Sequence, residues 1–159
     1  MPQKLRTLHL LESPVTEQVE LSIPAQLDQI RRASAWLELS ARGQGVPEEQ
    51  IQRLDICLNE ALANIIAHSD AAGLSAPISV CLELSHIPGK HQAEVTVCDA
   101  CAAFDPLALY PKPRPKSLAE AEPGGLGVLM LRSFADDVSY CHRDGQNRLS
   151  FSVRWPSLR

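Results

Sequence analysis

Between Pro47 and His68 the chain offers one long helix. Pro47 suits a first-turn position, and Glu48 and Glu49 suit the positive end of a helix. Ile51, Leu54, Leu58, Leu62 and Ile65 recur at helical spacing and form one apolar stripe. A helix with such a stripe has to lie on another layer, so its neighbours decide the fold class. The next two segments alternate: "APISVCLELSH" and "HQAEVTVCD" read as strands joined by the hairpin signal "IPGK".

The rest of the chain extends this pattern. "EQVELSIP", Glu17 to Pro24, alternates and ends at proline, as a strand would. "QLDQIRRASAWLELSARG", Gln26 to Gly43, has helical spacing with Gly43 as its stop. The spaced prolines of "AFDPLALYPKPRPKSLAEAEPGG" exclude a regular helix or a central strand. A long irregular segment of this kind marks a functional loop or a disordered one. A helix, "LGVLMLRSFA", and two strands, "DVSYCHR" and "RLSFSVRW" around the turn "DGQN", close the sequence. The order β, α, α, β, β, loop, α, β, β predicts an α+β fold. Its sheet is mixed or antiparallel, with helices on one face and one solvated side.

At 159 residues and 45% hydrophobic, the chain is expected to be one domain with a core that needs no metal or disulfide. A net charge of −4 argues against bulk nucleic-acid binding. No apolar run approaches the roughly 18 residues of a membrane span. "MPQKLRTLHLLESP" lacks a signal-peptide core, so the protein is expected in the cytoplasm. Five cysteines on apolar segments fit reduced thiols.

Two features suggest chemistry. Glu60 and Asn64 lie one turn apart, nearly opposite the apolar stripe, yet Ile56, Ala63 and Ala67 flank them. This suits a site for a cation and a hydroxyl, or equally an exposed ion with a polar neighbour. Asp55 and Asn59 repeat the same spacing, so spacing alone does not choose. The second feature is "EPGGLGVLMLRSF", Glu122 to Phe134. Its glycines either break the chain before a core helix or let backbone approach a phosphate at the helix N-terminus. "CDAC", Cys98 to Cys101, would be a redox pair or half a zinc site, but no second ligand pair completes it. His68 would sit at the end of the long helix, where a cation is favoured.

Three segments in order settle the choice. "NEALANIIAHS", "VCDACAAFDP" and "PGGLGVLMLRSFADDVSYCHRDGQNRLSF" resemble the N box and the two glycine boxes of the GHKL, or histidine-kinase-like, ATPases. Within that group the chain is similar to the anti-sigma-factor serine-protein kinases, from about Glu17 to Val153. The resemblance implies a two-layer α/β sandwich with a mixed, mostly antiparallel sheet. It implies that Glu60 is the base or water-orienting residue and that Asn64 ligates Mg²⁺. It implies that Asp99 accepts a hydrogen bond from the adenine amino group of ATP, and that the amides of Gly125 and Gly127 approach the phosphates. Residues 104–124 correspond to the ATP lid, and Lys112, Arg114 and Lys116 there are candidates to meet phosphates. Asp55 and Asn59 fall outside the pattern and are expected to be structural.

One position departs. The first glycine box usually has glycine two residues after its aspartate; here that position is Cys101, and Ala103 stands where another small residue or glycine is common. Cys101 would lie in the nucleotide site, and its side chain is expected to crowd the base or to forbid a left-handed backbone conformation that glycine there would allow. The resemblance implies an ATP-dependent protein-serine kinase of bacterial partner switching. It would bind a sigma factor, phosphorylate a STAS-domain antagonist and form a homodimer. A non-catalytic partner-binding module of the same fold is the alternative that Cys101 favours; a GHKL phosphatase or ATPase with another target is the third.

Overall fold

The computed structural model of the protein describes residues 16–109 and 125–157. The elements run β1 (Thr16–Ile23), α1 (Gln29–Gly43), α2 (Glu48–His68), a short α3 (Ala71–Leu74), β2 (Ile78–Ile87) and β3 (Lys90–Asp99). A 3-10 turn (Pro106–Leu109), α4 (Gly125–Phe134), β4 (Asp137–Arg143) and β5 (Gln146–Pro156) come after them. The expected element order is present, with α3 and the 3-10 turn added.

The five strands form one sheet in the order β1-β2-β3-β5-β4. Every neighbouring pair is antiparallel, so of the mixed or antiparallel sheet expected from the sequence the structure has the antiparallel one. The reason is topological. A parallel pair needs a crossover. The connection through α4 is long enough for one, but it delivers β4 to the outer edge, and β5 takes the place beside β3.

Alternation sets the two faces. Val80, Val97 and Leu149 stand in register across the three inner strands, as do Leu82, Val95 and Phe151. These six are buried. Ala33, Leu37 and Ala41 of α1 and Ile51, Leu54, Leu58 and Leu62 of α2 are buried in the same core. The opposite phase carries Glu20, Glu83, Glu94, Thr96 and Ser150, as one solvated face requires.

The long helix gains a second neighbour. Arg53 Nε donates to the carbonyl of Phe134 at 2.8 Å, and the Cys57 thiol approaches the carbonyl of Leu131 at 4.0 Å. Further along, Glu60 and Asn64 meet Gly127. Positions rise along α2 as they fall along α4, so the helices pack antiparallel. The N-terminus of α4 therefore arrives at Glu60 and Asn64. Burial pushes the Cys57 thiol up to about 12, with Glu60 adding to the rise and Arg53 opposing it, so the thiol stays protonated.

Asp55 and Asn59 do other work. Ser34 of α1 donates to Asp55 Oδ1. Asn59 Nδ2 donates to the Asp55 carbonyl at 2.7 Å and to Asp55 Oδ1 at 3.1 Å. This pair ties α2 to α1, away from the α4 side.

Candidate nucleotide site

The end of β3, the start of β5 and the last turns of α2 surround a pocket of about 290 Å³. Ala61, Asn64, Ile65, Asp99, Cys101 and Asn147 are among its walls. The volume is near the lower end of the range for small-molecule clefts. Alternation explains the polar floor. Asp99 continues the inward phase of Ala93, Val95 and Val97, and Asn147 begins the inward phase of Leu149, Phe151 and Val153. The two are direct register partners, and each is only 6% exposed.

They are joined by a hydrogen-bond network. Asp99 Oδ1 accepts from the Cys101 amide and from Asn147 Nδ2, both at 2.9 Å. Asn147 Nδ2 also reaches the carbonyls of Cys101 at 3.2 Å and Ala102 at 3.0 Å. Its Oδ1 accepts from the Tyr140 hydroxyl at 2.6 Å and from the Phe104 amide at 3.2 Å. Burial, the largest influence, raises the Tyr140 phenol above its ordinary range, so it remains a donor.

Asn64 lines the pocket and Glu60 stands one turn before it; both are half-buried, and α4 packs against them. A Cβ on Gly127 would lie 3.0 Å from Glu60 Oε2 and 3.0 Å from Asn64 Nδ2. Only glycine lets the α4 backbone come this close without moving both side chains. Gly125 is the first residue of α4. Glu60, Asn64 and Gly127 thus meet at one place. Asn64, Asp99 and Cys101 share the walls of one pocket.

Cys101 takes no left-handed conformation: among the described residues Asp144 is the one non-glycine with positive φ. The thiol is accommodated by α3. A Cβ on Gly73 would lie 2.6 Å from both Cys101 Cα and Sγ. Asp70 caps α3, its Oδ1 accepting from the Gly73 amide at 2.9 Å. Burial raises the Cys101 thiol above its ordinary range. Cys98 stands on the opposite face of the sheet, so the two ends of "CDAC" do not face one another. Among the described residues no three His, Cys, Asp or Glu side chains gather as a metal site. His68 is exposed at the end of α2 and borders the pocket.

Of the segment 104–124, residues 104–105 are irregular and 106–109 form the 3-10 turn, with Asp105 Oδ1 accepting from the Leu107 amide at 2.8 Å. Positions 110–124, with Lys112, Arg114 and Lys116, lie outside the described residues. Sequence reasoning missed Asn147, Tyr140 and Gly73. The signal for Asn147 was present: a polar residue in the apolar phase of a strand, like Asp99.

A family model described as a histidine kinase-like ATPase domain matches residues 23–153. The chain belongs to that family. This histidine kinase-like ATPase domain is 32% identical over 140 residues to the serine/threonine-protein kinase BtrW of Bordetella bronchiseptica, covering 88% of the chain and 94% of the relative. It is 24% identical over 139 residues to the serine-protein kinase RsbW of Bacillus cereus, covering 84% and 82%. The domain is a GHKL ATPase of the serine-protein-kinase branch. Its fold matches the RsbU and RsbW domains of a Mycobacterium tuberculosis protein with a TM-score of 0.64 at 15% identity. That match covers 89% of the domain and 33% of the larger chain. It also matches a chain of the SiaB-SiaC complex of Pseudomonas aeruginosa, with a TM-score of 0.51 at 16% identity, covering 86% and 89%. No described helix is long and apolar enough to cross a membrane.

Proposed function

We propose that this GHKL domain, a single domain over residues 1–159, transfers the γ-phosphoryl group of ATP to a serine of a small STAS-domain antagonist. Its setting is bacterial partner switching in the cytoplasm, as a homodimer that also binds a sigma factor. The names of BtrW and RsbW as serine kinases support this. The observation that carries it is the meeting of Glu60 and Asn64 with Gly127 at the N-terminal turn of α4.

The residues fit a magnesium nucleotide. Asp99 Oδ1 is occupied by the Cys101 amide and Asn147 Nδ2, and the Cys101 thiol also contacts the Asp99 carboxyl. A carboxylate oxygen there suits the amino group of adenine. Ala61, Ile65 and Leu149 supply apolar walls for the ring. The missing Cβ of Gly127 lets the N-terminal turn of α4 lie against Glu60 and Asn64, where its backbone amides would meet phosphates. Asn64 would hold Mg²⁺ with the phosphate oxygens, and the ion would offset charge on the transferring group.

Glu60 then receives the proton of the target serine, or aligns its hydroxyl. The serine oxygen bonds to the γ-phosphorus as the bond to the β–γ bridging oxygen breaks, and ADP leaves. Incubating the protein with labelled ATP and candidate STAS partners tests the proposal. Label on a partner serine supports it. ATP binding with no transfer to any partner would instead favour the non-catalytic module.

A further inference from the structure

We propose that Asn147, backed by Tyr140, is a positioning residue that gives the pocket its selectivity for a 6-amino purine over a 6-oxo purine. The inference rests on the reading of this pocket as the ATP site. It adds a residue that the motifs of the family resemblance did not supply.

The carboxamide of Asn147 is saturated. It has two N–H donors and one acceptor oxygen with two lone pairs. The donors serve Asp99 Oδ1 and the carbonyls of Cys101 and Ala102. The oxygen serves the Tyr140 hydroxyl and the Phe104 amide. The amide therefore has nothing left for a base. What it does is hold the turn from Cys101 to Phe104, where Cys101 stands two residues after Asp99. Serine or threonine, with one hydroxyl proton, would not hold three acceptors at once.

The consequence falls on Asp99. A carboxylate with neither oxygen held can rotate about its last bond. With Oδ1 held at 2.9 Å by both the Cys101 amide and Asn147 Nδ2, the direction of Oδ2 is fixed. A carboxylate only accepts hydrogen bonds. A fixed Oδ2 accepts from an amino group and opposes a carbonyl oxygen. A carboxylate free to turn would still bind the amino group, but it would swing away from the carbonyl, and selectivity would fall more than affinity. Sites that bury polar groups for one partner reject the analogue lacking it, because those groups are left unpaired.

The test is calorimetry with ATP, inosine triphosphate and tripolyphosphate. The first two differ in the 6-substituent, and the third has no base. Wild type should prefer ATP to inosine triphosphate by roughly a hundredfold or more. Asn147→Ala should shrink that ratio at least about tenfold, with tripolyphosphate binding unchanged. Tyr140→Phe, which leaves the Phe104 amide on Asn147, should shrink it by about threefold, and it carries the test alone if Asn147→Ala does not fold. Wild-type preference kept intact in the folded variants overturns the role of Asn147 and leaves the ATP site standing. A wild type that binds both nucleotides equally overturns this inference and leaves the ATP site standing, and one that binds neither overturns the ATP-site reading with it.

Discussion

Gly127 and Glu60 are fitted to one another across the α2–α4 interface, with a Cβ on Gly127 placed 3.0 Å from Glu60 Oε2. Asn64 Nδ2 would meet the same Cβ at the same distance. Both are ends of side chains, so Gly127→Ala would push them aside rather than break the fold. Alanine also improves helix propensity by up to about 1 kcal/mol, which offsets part of the contact. We expect the urea midpoint to stay near wild type while phosphotransfer falls on the order of a hundredfold, the effect of misplacing reacting groups by about an ångström. A folded variant with full activity would separate Gly127 from the reacting site.

Asn64→Ala should abolish Mg-ATP binding and leave the fold intact. Asn64 is half-buried at the pocket and outside the hydrophobic core. Surface changes of this kind usually move stability by less than about 0.5 kcal/mol. Undiminished Mg-ATP affinity by calorimetry, in a folded variant, would remove Asn64 from the metal site.

Glu60→Gln separates chemistry from binding, because it keeps shape and hydrogen bonding but loses the basic carboxylate. Phosphotransfer to a STAS partner should fall by about 10²–10⁴, the range of a general base. ATP and partner binding should persist. A wild-type transfer rate would show that Glu60 is not the base.

Much of this was legible because it is local. The stripe Ile51, Leu54, Leu58, Leu62 is periodic within one segment, and so are the alternating strands. The pairing of Asp99 with Asn147 was not legible. It depends on β5, not β4, docking beside β3, and that choice is made 48 positions away. The packing of α4 against Glu60 and Asn64 is likewise not local. Four-residue α3 is too short for any period to reveal, so the glycine that receives Cys101 could not be anticipated. The strain expected at Cys101 came from the glycine usual in the family, and the conformation itself is set by Asn147 and Gly73.

Acid should loosen the far end of α4. Asp136 Oδ1 accepts from Arg53 at 2.8 Å, and Oδ2 accepts from the Arg154 amide at 2.6 Å. Burial alone would raise this carboxyl, but those hydrogen bonds and the two arginine charges outweigh it and hold it below its ordinary value of 3.8. A carboxyl lowered in the folded state adds stability above its unfolded value and loses it as pH falls through the folded one. Asp136→Asn should therefore be less stable than wild type at neutral pH, by on the order of 1 kcal/mol for a partly exposed pair. The gap should narrow as pH falls below the ordinary value of 3.8. Urea midpoints compared at neutral pH and in acid below that value check this, and a gap that widens in acid would reverse the sign.

Cys101→Gly tests how the loop was rebuilt. If the thiol crowded the base or strained the backbone, glycine would tighten ATP by about tenfold for each 1.4 kcal/mol relieved. The geometry argues the other way. Cys101 has no left-handed φ, its thiol is lodged against Gly73, and its amide and carbonyl are held by Asp99 and Asn147. Glycine would remove a buried side chain that is 6% exposed and would add freedom to the unfolded chain. We expect a stability loss of about 1–2 kcal/mol, from the lost packing and the backbone entropy together. ATP affinity should be unchanged or lower. Gly73→Ala should be worse, because its Cβ would strike the Cys101 backbone as well as the thiol, and overpacking of that kind costs about 1–3 kcal/mol. Mg-ATP should shield Cys101 from alkylation more than the exposed Cys141, since Cys101 borders the pocket. Tenfold tighter ATP binding by Cys101→Gly, with stability kept, would show that the cysteine does obstruct the site.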